Sequence, residues 1–165
     1  MAEALLRHRL TARGIDGHVR SAGLMTAGEP VTIAAVQVMS GYGVDVARHR
    51  SGRLDRALED TPDLVLGMGR EHVGETVTLR PDLSARAFTL KELVRLGEAE
   101  GPRAEGESVE AYLARLHGAR SADGRAARSL DDDIADPIGL DVGVYERTAA
   151  ELDDLVTRFV ALVWR

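Results

Sequence analysis

The residues best suited to chemistry lie in the stretch DDDIADPIGL, residues 131–140, where four acids fall within six positions beside a proline. Asp136 stands immediately before Pro137, and a residue in that position is pushed into an extended conformation. A carboxyl held that way is a candidate general acid or base. The same stretch also reads as a solvated acidic loop. It lacks the glycine and terminal glutamate of a calcium-binding EF-hand loop. The five histidines are His8, His18, His49, His72 and His117. No pair has metal-binding helical spacing, and there is no HExxH. His49, in ARHRS, and His72, in MGREH, read as hydrogen-bonded structural histidines. Ser21, in RSAG, has no GxSxG elbow around it and reads as structural rather than nucleophilic. No metal and no cofactor is expected.

The chain has no cysteine. These residues therefore supply no thiolate nucleophile, thiolate metal site or disulfide. No phosphate-binding glycine loop of the Walker or dinucleotide type is present.

With 165 residues, 44% of them hydrophobic, the chain is long enough for one domain around a single core. Aromatics make up only 4%, so that core is built from Leu, Val, Ile and Ala. A net charge of −6 argues against a nucleic-acid partner. No run approaches the ~20 apolar residues of a membrane span. No signal peptide is visible at the N-terminus, so a cytoplasmic location and no membrane association are expected.

The elements that must position these residues follow from pattern. MAEALLRHRL reads as a helix to about Ala12, stopped by Gly14, yet nothing precedes it that would cap it. HVRSAGL reads as a short strand turning at Gly23. EPVTIAAVQVMS is a second helix, and GRLDRALED a short third one ending before Pro62. PDLVLGM and RAFTL read as strands of the buried, parallel kind. FTLKELVRLG then passes into a helix. The stretch at about 97–129 is rich in Gly, Ala and charge, and reads as a surface insertion around the helix SVEAYLARLH, capped by Ser108. The last helix carries Tyr145, Ala149, Leu152, Val156, Phe159, Val160 and Val163 on one face. Strands alternating with helices predict an α/β doubly wound fold with helices on both faces of a parallel sheet.

Taken in order, these segments resemble the low-molecular-weight protein tyrosine phosphatases almost end to end. The similarity is carried by MAEALLRHRL, by SAG at Ser21–Gly23, by GVDVARHRSGRL, by DLVLGMGREH and by DIADP. The resemblance implies a sheet of about four strands in the order 2-1-3-4. The family opens with a strand and a Cys-x5-Arg phosphate loop leading into the first helix; this chain opens within the helix. The absence of that strand and loop accounts for the missing cap. It is read as an internal methionine taken for the start, because the missing strand would be central to the sheet. The residues as given are then expected to be inactive and poorly stable.

For the intact enzyme the resemblance implies phosphomonoester hydrolysis through a phosphocysteine, with an arginine clamping the phosphoryl oxygens. Asp136 would protonate the leaving group and then activate water. It is expected on a loop at the carboxyl end of the sheet, facing the start of the first helix. Substrates would be a phosphotyrosine protein or a small aryl phosphate. Ile138 stands where the family usually has an aromatic residue that lines the substrate ring, so it is the substrate-binding candidate. His49 and Ser21 would support the phosphate loop. Two other functions fit the same residues: an arsenate reductase that uses a small-molecule thiol, and a non-catalytic regulatory domain.

Overall fold

The computed structural model describes residues 1–25, 27–122 and 132–164. Its contacts gather into two compact units. One comprises Met1–Glu59 and Ala135–Thr157, the other Asp60–Ile134 and Arg158–Arg165.

The first unit opens with α1, Ala2–Ala12, whose cap position is Met1 with no side-chain hydrogen bond. Its Leu5 and Leu10 are buried. Gly14, at φ +67°, turns the chain out of the helix through a conformation that a residue with a Cβ rarely adopts. α2, Ile33–Ser40, starts at Thr32, whose hydroxyl oxygen accepts from the Ala35 amide at 3.3 Å and whose hydroxyl donates to the Tyr145 hydroxyl at 3.1 Å. Ala35 and Val38 pack with Tyr145 and Ala149, and Met1, Val31, Ala34 and Tyr42 close over them. α3 is a single turn, Leu54–Ala57.

The stretch HVRSAGL does not form the expected strand. It is extended, but its only ladder-type contact among the described residues is an isolated parallel bridge between Gly23 and Arg53. A β-strand is stable only beside a continuous neighbour. Among the described residues none runs alongside it. The Val19 carbonyl is satisfied instead by the Arg7 guanidinium at 2.8 Å.

The second unit holds the sheet. β1, Val65–Gly67, pairs in parallel with β2, Ala87–Thr89, in the register Val65–Ala87, Leu66–Phe88, Gly67–Thr89. Between them runs α4, Arg70–Leu79, followed by a 3-10 turn at Pro81–Leu83. The architecture is α/β with a parallel sheet, as expected, but the sheet has two strands among the described residues rather than about four. The next helix, α5, Leu90–Glu100, begins at Thr89, whose hydroxyl accepts from the Glu92 amide at 3.1 Å.

α6, Val109–Ala122, is capped by Ser108, whose hydroxyl accepts from the Ala111 amide at 3.1 Å. The composition of its stretch predicts a surface position. Tyr112, Leu113 and Leu116 are instead fully buried. Few apolar residues are needed when they share one face, and each such side chain contributes about 1.5–3 kcal/mol on burial. Residues 123–129 of that stretch lie outside the described residues. α7, Val142–Val163, buries all seven residues of the face read from its periodicity.

Candidate active-site loop and its supports

Asp136 lies on the irregular segment leading into α7 and is exposed. One of its oxygens, Oδ1, accepts from the Ile138 amide at 3.0 Å, the local turn that aspartate side chains form with their own backbone. Pro137 is buried and its carbonyl accepts from the Leu140 amide at 3.0 Å. Gly139, at φ +77°, completes the turn. The Ala135 carbonyl accepts from the Thr148 hydroxyl at 3.5 Å, and Asp141 caps α7 by accepting from the Val144 amide at 3.2 Å. Asp136 thus spends one oxygen on shaping its own loop. Its Oδ2 has no partner among the described residues. Ile138 is 67% exposed beside it.

Ser21 and His49 do come together, and with them a residue that sequence reasoning missed. Glu3, in the first turn of α1, accepts from the Ser21 hydroxyl and from Arg7 one turn further along the helix. The His49 ring sets Nε2 3.5 Å from the Ser21 oxygen and Nδ1 3.6 Å from a Glu3 oxygen. Serine, histidine and glutamate suggest a hydrolytic triad, but the geometry is wrong for one. A relay needs the imidazole between hydroxyl and carboxylate. Here the hydroxyl donates straight to the carboxylate, and the ring touches both from the side. The cluster is a structural clasp that ties the extended stretch at Ser21 to α1. Glu3 gave one sequence signal: an acid in a first helical turn, four residues before an arginine.

His72 is also structural. Its Nδ1 accepts from the Gly69 amide at 3.1 Å and closes the start of α4.

Among the described residues no group of three or more His, Asp or Glu side chains is arranged to hold a metal ion. No helix among them is long and apolar enough to cross a membrane. A shallow depression of about 230 Å³ is lined by Gln37, Val38, Gly41, Tyr42 and Glu146. Its one charged group is a carboxylate, which repels a phosphate.

Residues 1–102 match the family model "Low molecular weight phosphotyrosine protein phosphatase". The chain is 32% identical over 117 residues to a probable low molecular weight protein-tyrosine-phosphatase, EpsP, of Ralstonia solanacearum, covering 70% of this chain and 78% of that one. It is 28% identical over 159 residues to a protein-arginine-phosphatase of Geobacillus stearothermophilus, covering 96% and 82%. Among solved structures, a low molecular weight protein tyrosine phosphatase from T. tengcongensis superposes with a TM-score of 0.71 at 27% identity, covering 97% of this chain and 87% of that one.

Proposed function

Since the chain belongs to the low molecular weight phosphotyrosine protein phosphatase family, a family of hydrolases, we propose that Asp136 is the general acid and base of phosphomonoester hydrolysis on a phosphorylated protein side chain or a small aryl phosphate. The observation that carries this reading is the Asp136 carboxyl itself: Oδ1 is held by the Ile138 amide, and Oδ2 is left open at an exposed position. An oxygen fixed in direction but free of partners can deliver a proton to a leaving oxygen. In a second step it can take a proton from water. The nucleophile of this reading is a cysteine thiolate forming a phosphocysteine, and the 165 residues contain no cysteine. They do not turn over substrate by themselves.

The substrate class follows from Ile138. An aliphatic side chain packs on a phosphotyrosine ring but gives no stacking. It accommodates an aliphatic phosphorylated side chain equally well. A phosphoarginine substrate is the second reading, supported by the relatives named protein-arginine-phosphatase that match almost the whole chain.

The test joins a relative's first strand and Cys-x5-Arg loop ahead of Met1. The unmodified chain should leave para-nitrophenyl phosphate untouched, and the extended form should hydrolyse it. Hydrolysis by the unmodified chain, or none by a well-folded extended form, overturns the reading. Comparing para-nitrophenyl phosphate with phosphoarginine on the extended form separates the two substrate classes. Consumption of arsenate in place of either would make it a reductase.

A further inference from the structure

The acids just before Asp136 are not a solvated run. Asp133 sends its Oδ1 to the amide of Arg70, the first residue of α4, at 2.9 Å. That amide needs a partner from elsewhere, because the cap position is Gly69, which has no side chain to offer. Asp133 supplies it from 63 residues away, and a carboxylate suits the positive end of a helix. The backbone around it is held as well. Lys91 donates to the Asp133 carbonyl at 2.9 Å, and the Ile134 amide donates to the Met68 carbonyl at 2.8 Å. Asp132 is buried against Arg95 at 3.0 Å. All three residues from Asp132 to Ile134 are therefore anchored.

Only Ala135 separates this anchor from Asp136, and Pro137 restricts Asp136 from the other side. Few backbone torsions remain by which the Asp136 carboxyl can wander. We propose that Asp133 is a positioning residue for Asp136: by accepting the Arg70 amide it fixes the point from which the acid loop departs. This rests on the proposed role of Asp136, and its effect reaches the reaction only through that residue.

The experiment uses the full chain and two variants. Asp133→Ala removes the acceptor, whereas Asp133→Asn keeps an oxygen for the Arg70 amide. Amide exchange is followed by NMR at Ile138, whose N–H bonds to Asp136, and at Val94, in the buried face of α5. With Asp133→Ala the Ile138 amide should exchange about tenfold faster while Val94 keeps its rate, since a local opening leaves the core closed. Asp133→Asn should restore the Ile138 rate. An unchanged Ile138 rate in Asp133→Ala, equal acceleration at both amides, or failure of Asn to restore it overturns the proposal.

In the form extended with the Cys-x5-Arg loop, Asp133→Ala should lower kcat at unchanged KM. The loss should grow as the leaving group becomes more basic, the signature of impaired acid catalysis. A change in KM alone counts against the proposal. If the extended wild type shows no turnover, the proposed function fails, and the exchange measurement still decides this point.

Discussion

The hydroxyl of Ser21 donates to the carboxylate of Glu3, 18 residues earlier in the chain, although His49 stands within 3.5 Å of the same oxygen. That choice of acceptor decides what the cluster is. A serine whose proton is already committed to a carboxylate is not activated by a neighbouring imidazole. The three residues hold backbone together.

Removing the clasp should therefore cost stability in proportion to the partners left behind. Ser21→Ala removes one donor, and Glu3 keeps Arg7, so the expected loss is about 0.5–1.5 kcal/mol. Glu3→Ala leaves Ser21, His49 and Arg7 without their shared acceptor, and should cost up to about 3 kcal/mol. Urea unfolding of both variants checks the order. A Ser21→Ala variant less stable than Glu3→Ala would contradict the arrangement.

In a form supplied with the nucleophile loop, Asp136→Asn should slow hydrolysis of aryl phosphates by about 10²–10⁴-fold, the usual contribution of general acid–base help. The variant retains the Oδ1 acceptor for the Ile138 amide, so the loop keeps its shape and the loss reports the proton. An unchanged rate would assign the acid to another group.

Tyr112 and Gly97 make an opposed pair of tests. The Tyr112 ring is fully buried with Arg115 stacked over it at 5.0 Å, but its hydroxyl has no hydrogen-bond partner among the described residues. Tyr112→Phe keeps the ring and removes the orphaned group, so stability should hold or rise, by up to about 1–3 kcal/mol. A Cβ on Gly97 would sit 2.7 Å from that hydroxyl and 2.9 Å from a Leu162 methyl. Gly97→Ala should cost about 1–3 kcal/mol by overpacking, despite the better helix propensity of alanine. Combining the two changes should recover part of the loss, because a phenylalanine ring presents no oxygen to the new methyl. Thermal melts of the single and double variants provide the cycle.

The Glu107 carboxyl is held below its ordinary pKa, first by its hydrogen bond with Arg115 and then by the Ala104 amide. A depressed carboxylate contributes stability above its unfolded pKa, and that contribution is lost as pH falls through the folded value. The difference in Tm between wild type and Glu107→Gln should thus be largest near neutral pH and close below about pH 4, where the unfolded carboxyl also protonates. A difference that widens on acidification would reverse the sign and remove the assignment.

Much of the architecture is legible in the order of residues. The face of α7 is written in a repeat of about 3.6, and all seven of its residues are buried. The apolar runs at Leu64–Leu66 and Ala87–Phe88 give the two paired strands, and Ser108 marks the start of α6. The order of the short motifs was enough to name the family. The turn at Asp136 follows from Asp, Pro and Gly in local sequence, because the groups that bond are two residues apart.

What the tertiary structure decided involves partners far apart in the chain. HVRSAGL has the composition of a strand, but a strand exists only through a neighbour, and its backbone finds Arg7 and Gly52 instead. Periodicity in α6 says that one face is apolar, not what covers it, so the burial of Tyr112, Leu113 and Leu116 needed the fold. Glu3 meets Ser21 and His49 across 18 and 46 residues, and Asp133 caps α4 across 63. No local pattern encodes such pairs. A carboxylate in an acidic run looks the same in sequence whether it faces water or closes a helix, because only the folded chain brings an unpartnered amide to it.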